Sequence, residues 1–174
     1  MINQELINYL HSAYPELTID TNYIKGYSNE ELPKMERLYD IKIQGQLLNF
    51  LTCMGRCSGG LFGDDPLIFY REQDTVRGDV ISQSYHREEL ARIQRHELLD
   101  QNPFLISIEW CTQYYFLLTE SDDPDLVYRF DENEDIVINT NLTFNDYLRR
   151  VIDTEVRNYT NKAPFDRSGD LLIL

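Results

Sequence analysis

Near the start of the chain, Ile2, Leu6, Leu10 and Ala13 recur at helical spacing with Tyr9 alongside, which predicts an amphipathic helix over 2–13 that stops before Pro15. Residues 16–27 are polar and irregular. Ser28 followed by Glu31 reads as a capping box for a second helix carrying Met35, Leu38 and Tyr39. Leu47, Leu48, Phe50, Leu51 and Met54 predict a third helix, ending at Gly55. A glycine-rich loop runs from Gly55 to Pro66, and Leu67-Ile68-Phe69-Tyr70 reads as a short buried strand. The Arg- and Glu-rich segment 71–102 has helical character near 86–99, with Leu90, Ile93 and Leu98 as its apolar positions.

The period then changes. Phe104–Ile108, Tyr114–Leu118, Leu126–Phe130 and Ile136–Ile138 read as consecutive antiparallel strands, with Glu109–Gln113 as a turn or bulge and Asp131–Glu134 as a turn. Thr143–Asp146 is a cap signal, and Phe144, Tyr147, Leu148, Val151 and Ile152 follow at helical spacing, predicting a last helix over about 143–158. Helices, then a strand meander, then a closing helix predict an α+β fold: an antiparallel sheet of about four to six strands flanked by helices. Residues 1–158 form one expected domain, and the tail 159–174, which ends Leu171-Leu172-Ile173-Leu174, is expected to dock on it.

Charge narrows the function classes. Thirty acidic residues oppose sixteen basic ones, for a net charge of −14 and a pI near 4.5. That sign disfavours direct nucleic-acid or anionic-membrane binding and favours basic partners. The N-terminus has no basic segment followed by an apolar one, and no apolar run reaches membrane-span length, so a cytoplasmic protein is expected. Three cysteines suit reduced thiols better than a disulfide framework.

The candidates for chemistry are weak. Gly55, Gly59, Gly60 and Gly63 match neither phosphate-loop pattern, and Asp64-Asp65 would repel a phosphate; a helix C-cap at Gly55 and a tight crossing onto the sheet explain them. Cys53, Cys57 and Cys111 lack the paired spacing of a zinc site and read as buried apolar cysteines. A Cys57 nucleophile with His86 or His96 requires histidines that instead lie in a stretch reading as solvated surface. No cofactor, metal or catalytic set is indicated, and a non-enzymatic protein is expected.

The carboxylates carry more information. Between Glu109 and Asp135 there are nine of them against a single cation, Arg129. Eight form the expected partner-binding set: Glu120, Asp122, Asp123, Asp125, Asp131, Glu132, Glu134 and Asp135. Most fall in two turns that the sequence allows to cluster at one sheet end or edge. Three readings stand side by side: solubility with edge-strand protection, a calcium site without an EF-hand loop, and an acidic docking surface that steers a basic protein. Twelve tyrosines are compatible with both core and interface roles.

The runs Met35-Glu36-Arg37-Leu38-Tyr39-Asp40-Ile41 and Leu47-Leu48-Asn49-Phe50-Leu51-Thr52-Cys53-Met54-Gly55-Arg56 form a helix ending in an acidic residue, a short link, a helix with a Phe-Leu pair, and a glycine. With Gly59-Gly60-Leu61-Phe62-Gly63, the strands from Phe104 to Ile138 and the Phe144-Asn145-Asp146-Tyr147-Leu148 helix, this resembles the SUKH superfamily over about residues 28–155. The family often has Leu-Pro directly before its Phe-Leu helix; here that position reads Ile43-Gln44, and Leu32-Pro33 lies earlier. The resemblance implies helices around an antiparallel sheet, no catalytic residues, and the role of an immunity protein that binds and blocks a cognate polymorphic toxin. The acidic charge of the chain points to a basic toxin, such as a nuclease. As the alternative, the resemblance implies a regulatory or scaffold module in cell-wall or envelope metabolism.

Overall fold

A computed structural model describes residues 3–63, 67–69 and 76–158. Helix α1 spans Gln4–His11, where Asn3 Oδ1 accepts from the Leu6 amide at 3.1 Å and Leu6, Ile7 and Leu10 turn inward. Helix α2 spans Leu32–Tyr39. Ahead of it the Glu31 carboxylate accepts from the Ser28 amide at 2.7 Å, one half of the expected capping box, but the N-cap is Glu31 rather than Ser28 and makes no side-chain cap bond. Helix α3, Gly45–Met54, has no cap of its own. Asp125, far along the chain, supplies one: the Gln46 amide donates to its Oδ1 at 2.7 Å.

Four strands follow: β1 Pro103–Glu109, β2 Gln113–Leu118, β3 Leu126–Asp131 and β4 Ile136–Thr143. They form one antiparallel meander in the order β1-β2-β3-β4, confirming the α+β class. The first face of the sheet carries Ile106, Tyr115, Leu117 and Val127, and these pack with α1–α3 and the closing helix α6 (Phe144–Val151) in the larger core. Phe50 lies at its centre, edge-on to Phe62, Phe69 and Phe144. The second face carries Leu105, Tyr114, Phe116, Leu118 and Phe130 under Leu90 and Leu98. Those two residues come from α4 (Val76–Arg92) and the single-turn α5 (His96–Leu99). The last helix starts at the Thr143 cap and continues past Val151 as a π-turn over Ile152–Val156.

Several expectations are corrected. Leu67–Phe69 is a turn rather than a strand, although Leu67 and Phe69 are buried and the Ile68 amide donates to the Ile106 carbonyl at 3.1 Å. Strand pairing fails there because the rim of β1 is already occupied. The Gln83 amide both donates to the Leu105 carbonyl (2.7 Å) and accepts from its N–H (2.8 Å), standing in for a neighbouring strand. The helix expected near 86–99 begins ten residues earlier and breaks at Gln94, which adopts φ 60°. Gly55 is the C-cap of α3, as expected, but in right-handed geometry, so the need for glycine there is close approach: a Cβ would sit 2.9 Å from the Tyr27 ring. Tyr70, Asp64-Asp65 and the tail 159–174 lie outside the described residues.

Candidate functional site

Consecutive turns of a meander alternate between the two ends of the sheet. The β2–β3 loop, with Glu120, Asp122, Asp123 and Asp125, is therefore separated from the β3–β4 hairpin, with Asp131, Glu132, Glu134 and Asp135, by the length of β3. Six residues of strand make that about 20 Å. The eight carboxylates form two groups, not one cluster.

At the β2–β3 end, Asp125 belongs to the fold. Besides capping α3, its carbonyl accepts from the Phe144 amide at 2.7 Å, so it ties both helix starts to the sheet. Glu120 accepts from Asn102 Nδ2 at 2.7 Å, and Asp122 and Asp123 are exposed.

At the opposite end, Asp135 pairs with Arg92, which holds its carboxyl below the usual range. Asp131 is likewise held low, by hydrogen bonds from the Gln113 side chain and from the turn's own amides. Glu132 accepts from two hydroxyls, Tyr85 at 2.9 Å and Tyr114 at 3.0 Å. That bond to the carboxylate raises the Tyr85 hydroxyl, while burial first and then the same carboxylate raise Tyr114. Glu134 is exposed and takes no side-chain partner among the described residues. Glu109, at the end of β1, is neutralised by Arg150 at 2.6 Å, and Arg150 lies over the Tyr115 and Tyr147 rings.

Beside this anionic hairpin stands a residue that the sequence reading passed over. Trp110, the only tryptophan, is 85% exposed at the tip of the β1–β2 hairpin. Trp110 and Cys111 both adopt left-handed backbone geometry (φ 54° and 63°), where Asn-Gly would be the ordinary choice. The two hairpins are bonded to each other: the Glu132 amide donates to the Thr112 carbonyl at 3.0 Å, and Asn133 Nδ2 to Thr112 Oγ1 at 3.1 Å. A large apolar side chain is thus held at the rim of an acidic turn. A bulky residue in a hairpin tip where turn formers are expected was the available signal.

The catalytic candidates separate. His86 is fully buried rather than solvated, packed on Phe116 with ring centroids 4.6 Å apart and near Tyr114 and Phe130. Neither ring nitrogen has a hydrogen-bond partner, so neither is placed to take a proton from a thiol or hydroxyl. Burial among these rings pushes its pKa down to about 3. His96 is exposed on α5. Cys53 and Cys57 are buried as expected, but Cys111 is exposed because the hairpin tip lies beyond the sheet. Among the described residues no group of three or more His, Cys, Asp or Glu is arranged to hold a metal ion, and no helix is long and apolar enough to cross a membrane. A shallow cleft of about 220 Å³ between α1, α3 and α6 is lined by Asn3, Glu5, Leu6, Tyr9, Asn49 and Asn145.

No family model, curated protein or solved structure matches the chain.

Proposed function

We propose that this chain is a protein-binding domain that neutralises a basic toxin domain by occluding it, acting without catalysis, as the resemblance to SUKH immunity proteins implies. The observation that carries the reading is Trp110, exposed at the tip of a hairpin that is bonded through Thr112 to the hairpin carrying Asp131, Glu132 and Glu134. An aromatic anchor inside a charged rim is the usual composition of an interface hot spot. The carboxylates supply long-range attraction for a basic partner, and the indole supplies the contact that holds it. Glu132, fixed by two tyrosine hydroxyls, gives up little conformational entropy on binding. Asp122, Asp123 and Glu120, at the far end of the sheet, add to the overall field without touching the same partner surface.

The test is capture from a lysate of the source organism on the immobilised protein, followed by assay of what is retained. The reading expects a basic toxin domain, released by high salt and inhibited at about one-to-one stoichiometry. Retention of envelope-synthesis enzymes, with no toxin inhibited, refutes it and favours a scaffold role.

A further inference from the structure

The two rims of the sheet are treated differently. The outer edge of β1 is closed by Gln83, whose amide satisfies both backbone groups of Leu105, and by the Ile68 amide on Ile106. The outer edge of β4 meets no strand among the described residues. Its second half is protected by a bulge. Asn141 adopts φ 58°, its amide donates to Asn139 Oδ1 at 2.7 Å, and the Leu142 amide donates to Thr140 Oγ1 at 3.2 Å. The register against β3 slips there, between Leu126 and Tyr128. The first half, Ile136-Val137-Ile138-Asn139, remains in regular register against Tyr128–Asp131. It contains neither the lysine nor the proline with which exposed edges are ordinarily blunted. Ile136 and Ile138, on one face, are 40% and 38% exposed.

We infer that the outer edge of β4 over Ile136–Asn139 is a strand-addition site for an extended segment of the partner protein that alternates aliphatic and basic residues; this rests on the protein-binding reading above. Free backbone groups along a regular edge pair with an extended chain whatever its sequence. The two isoleucines select aliphatic side chains on their face, because successive residues of an added strand alternate sides as they do. Glu132, whose carboxylate meets Tyr85 and Tyr114 on the opposite face of the sheet, and Glu134 in the adjoining turn select lysine or arginine. A second copy of this chain is disfavoured as occupant, since each carries a net charge of −14.

The probe is a short peptide alternating lysine and valine, with a peptide alternating glutamate and valine as control. The readout is backbone amide exchange in the full chain, resolved by residue. On adding the lysine peptide, amides within Ile136–Asn139 should become protected by about tenfold or more. The glutamate peptide should leave them unchanged, and Ile136→Lys/Ile138→Lys should abolish the protection. The inference is overturned if the lysine peptide protects nothing in β4. It is equally overturned if these amides are already protected in the free protein and lose that protection on deletion of 159–174 or on dilution of a dimer, since the chain's own tail or a second copy would then be the occupant. Trp110→Ala should leave peptide protection intact while weakening capture of the whole partner. Loss of the β4 result with retained capture therefore sinks the edge site alone, and failed capture with an intact β4 result sinks the toxin reading alone.

Discussion

Replacing His86 with leucine should remove most of the acid sensitivity that this one ring confers. The ring is buried against Phe116, Phe130 and Tyr114, and both its nitrogens lack partners. Burial first, and then the neighbouring Arg87 charge, push its pKa down to about 3. In the unfolded chain the value is ordinary, about 6.5. The folded protein therefore resists protonating His86 while the unfolded chain does not. Its contribution is fully present above about pH 6.5 and is lost as pH falls towards the folded value. Each pH unit in that window is worth up to about 1.4 kcal/mol, so by pH 5 the wild type loses about 2 kcal/mol through this group. At pH 8 the substitution should be close to neutral, because it exchanges an unsatisfied buried imidazole for an aliphatic side chain of similar size. Urea unfolding of both proteins at pH 8, 7, 6 and 5 measures the effect. The difference in unfolding free energy between them should shift by about 2 kcal/mol in favour of His86→Leu across the series. Parallel pH curves would show that His86 is hydrated or hydrogen-bonded in solution and would refute the reasoning.

Three further outcomes are expected. Trp110→Asn with Cys111→Gly should raise stability by about 1 kcal/mol in denaturant unfolding, by relieving two left-handed non-glycine residues, while weakening partner binding; destabilisation would mean the indole packs on the body. Gly45→Ala should cost about 2 kcal/mol, since Gly45 has φ 57° and a Cβ there would sit 2.2 Å from Asp125 Oδ1. In an Asp125→Ala background the same change should cost only about 1 kcal/mol, because the cap on α3 is already gone. A thiol reagent should titrate Cys111 rapidly in the native protein, with Cys53 and Cys57 reacting only on unfolding; fast labelling of all three would contradict the burial of the α3 end.

The strands were legible because both faces of the sheet are covered. Phe104–Ile106 and Tyr114–Leu118 are buried almost throughout and read as apolar runs flanked by turn residues. The extent of α4 was not. Its inward positions Val76, Asp79, Gln83, His86 and Leu90 have good helical spacing, but three of the five are polar. Gln83 is inward because it serves the edge of β1, a long-range task that leaves no hydrophobic pattern. Strand β4 runs on to Thr143 because Asn139–Asn141 form a bulge, which carries none of the alternation used to find strands. The carboxylates were found by composition, but their division between two sheet ends follows from hairpin topology. Asp125 looks the same as Asp123 in sequence, and only its long-range bonds to the Gln46 and Phe144 amides mark it as structural. Trp110 makes no periodic pattern, and its one signal was local: a bulky residue where a hairpin turn expects turn formers.

The most direct measurement is the binding kinetics of the captured partner against wild type, Trp110→Ala and Asp131→Asn/Glu134→Gln at several salt concentrations. Loss of the indole should accelerate dissociation by about thirtyfold, as a 2 kcal/mol hot spot would, with little change in the on-rate. Loss of the two carboxylates should instead slow association and flatten its salt dependence. If both variants associate and dissociate as the wild type does, the end of the sheet carrying Trp110 is not the binding surface.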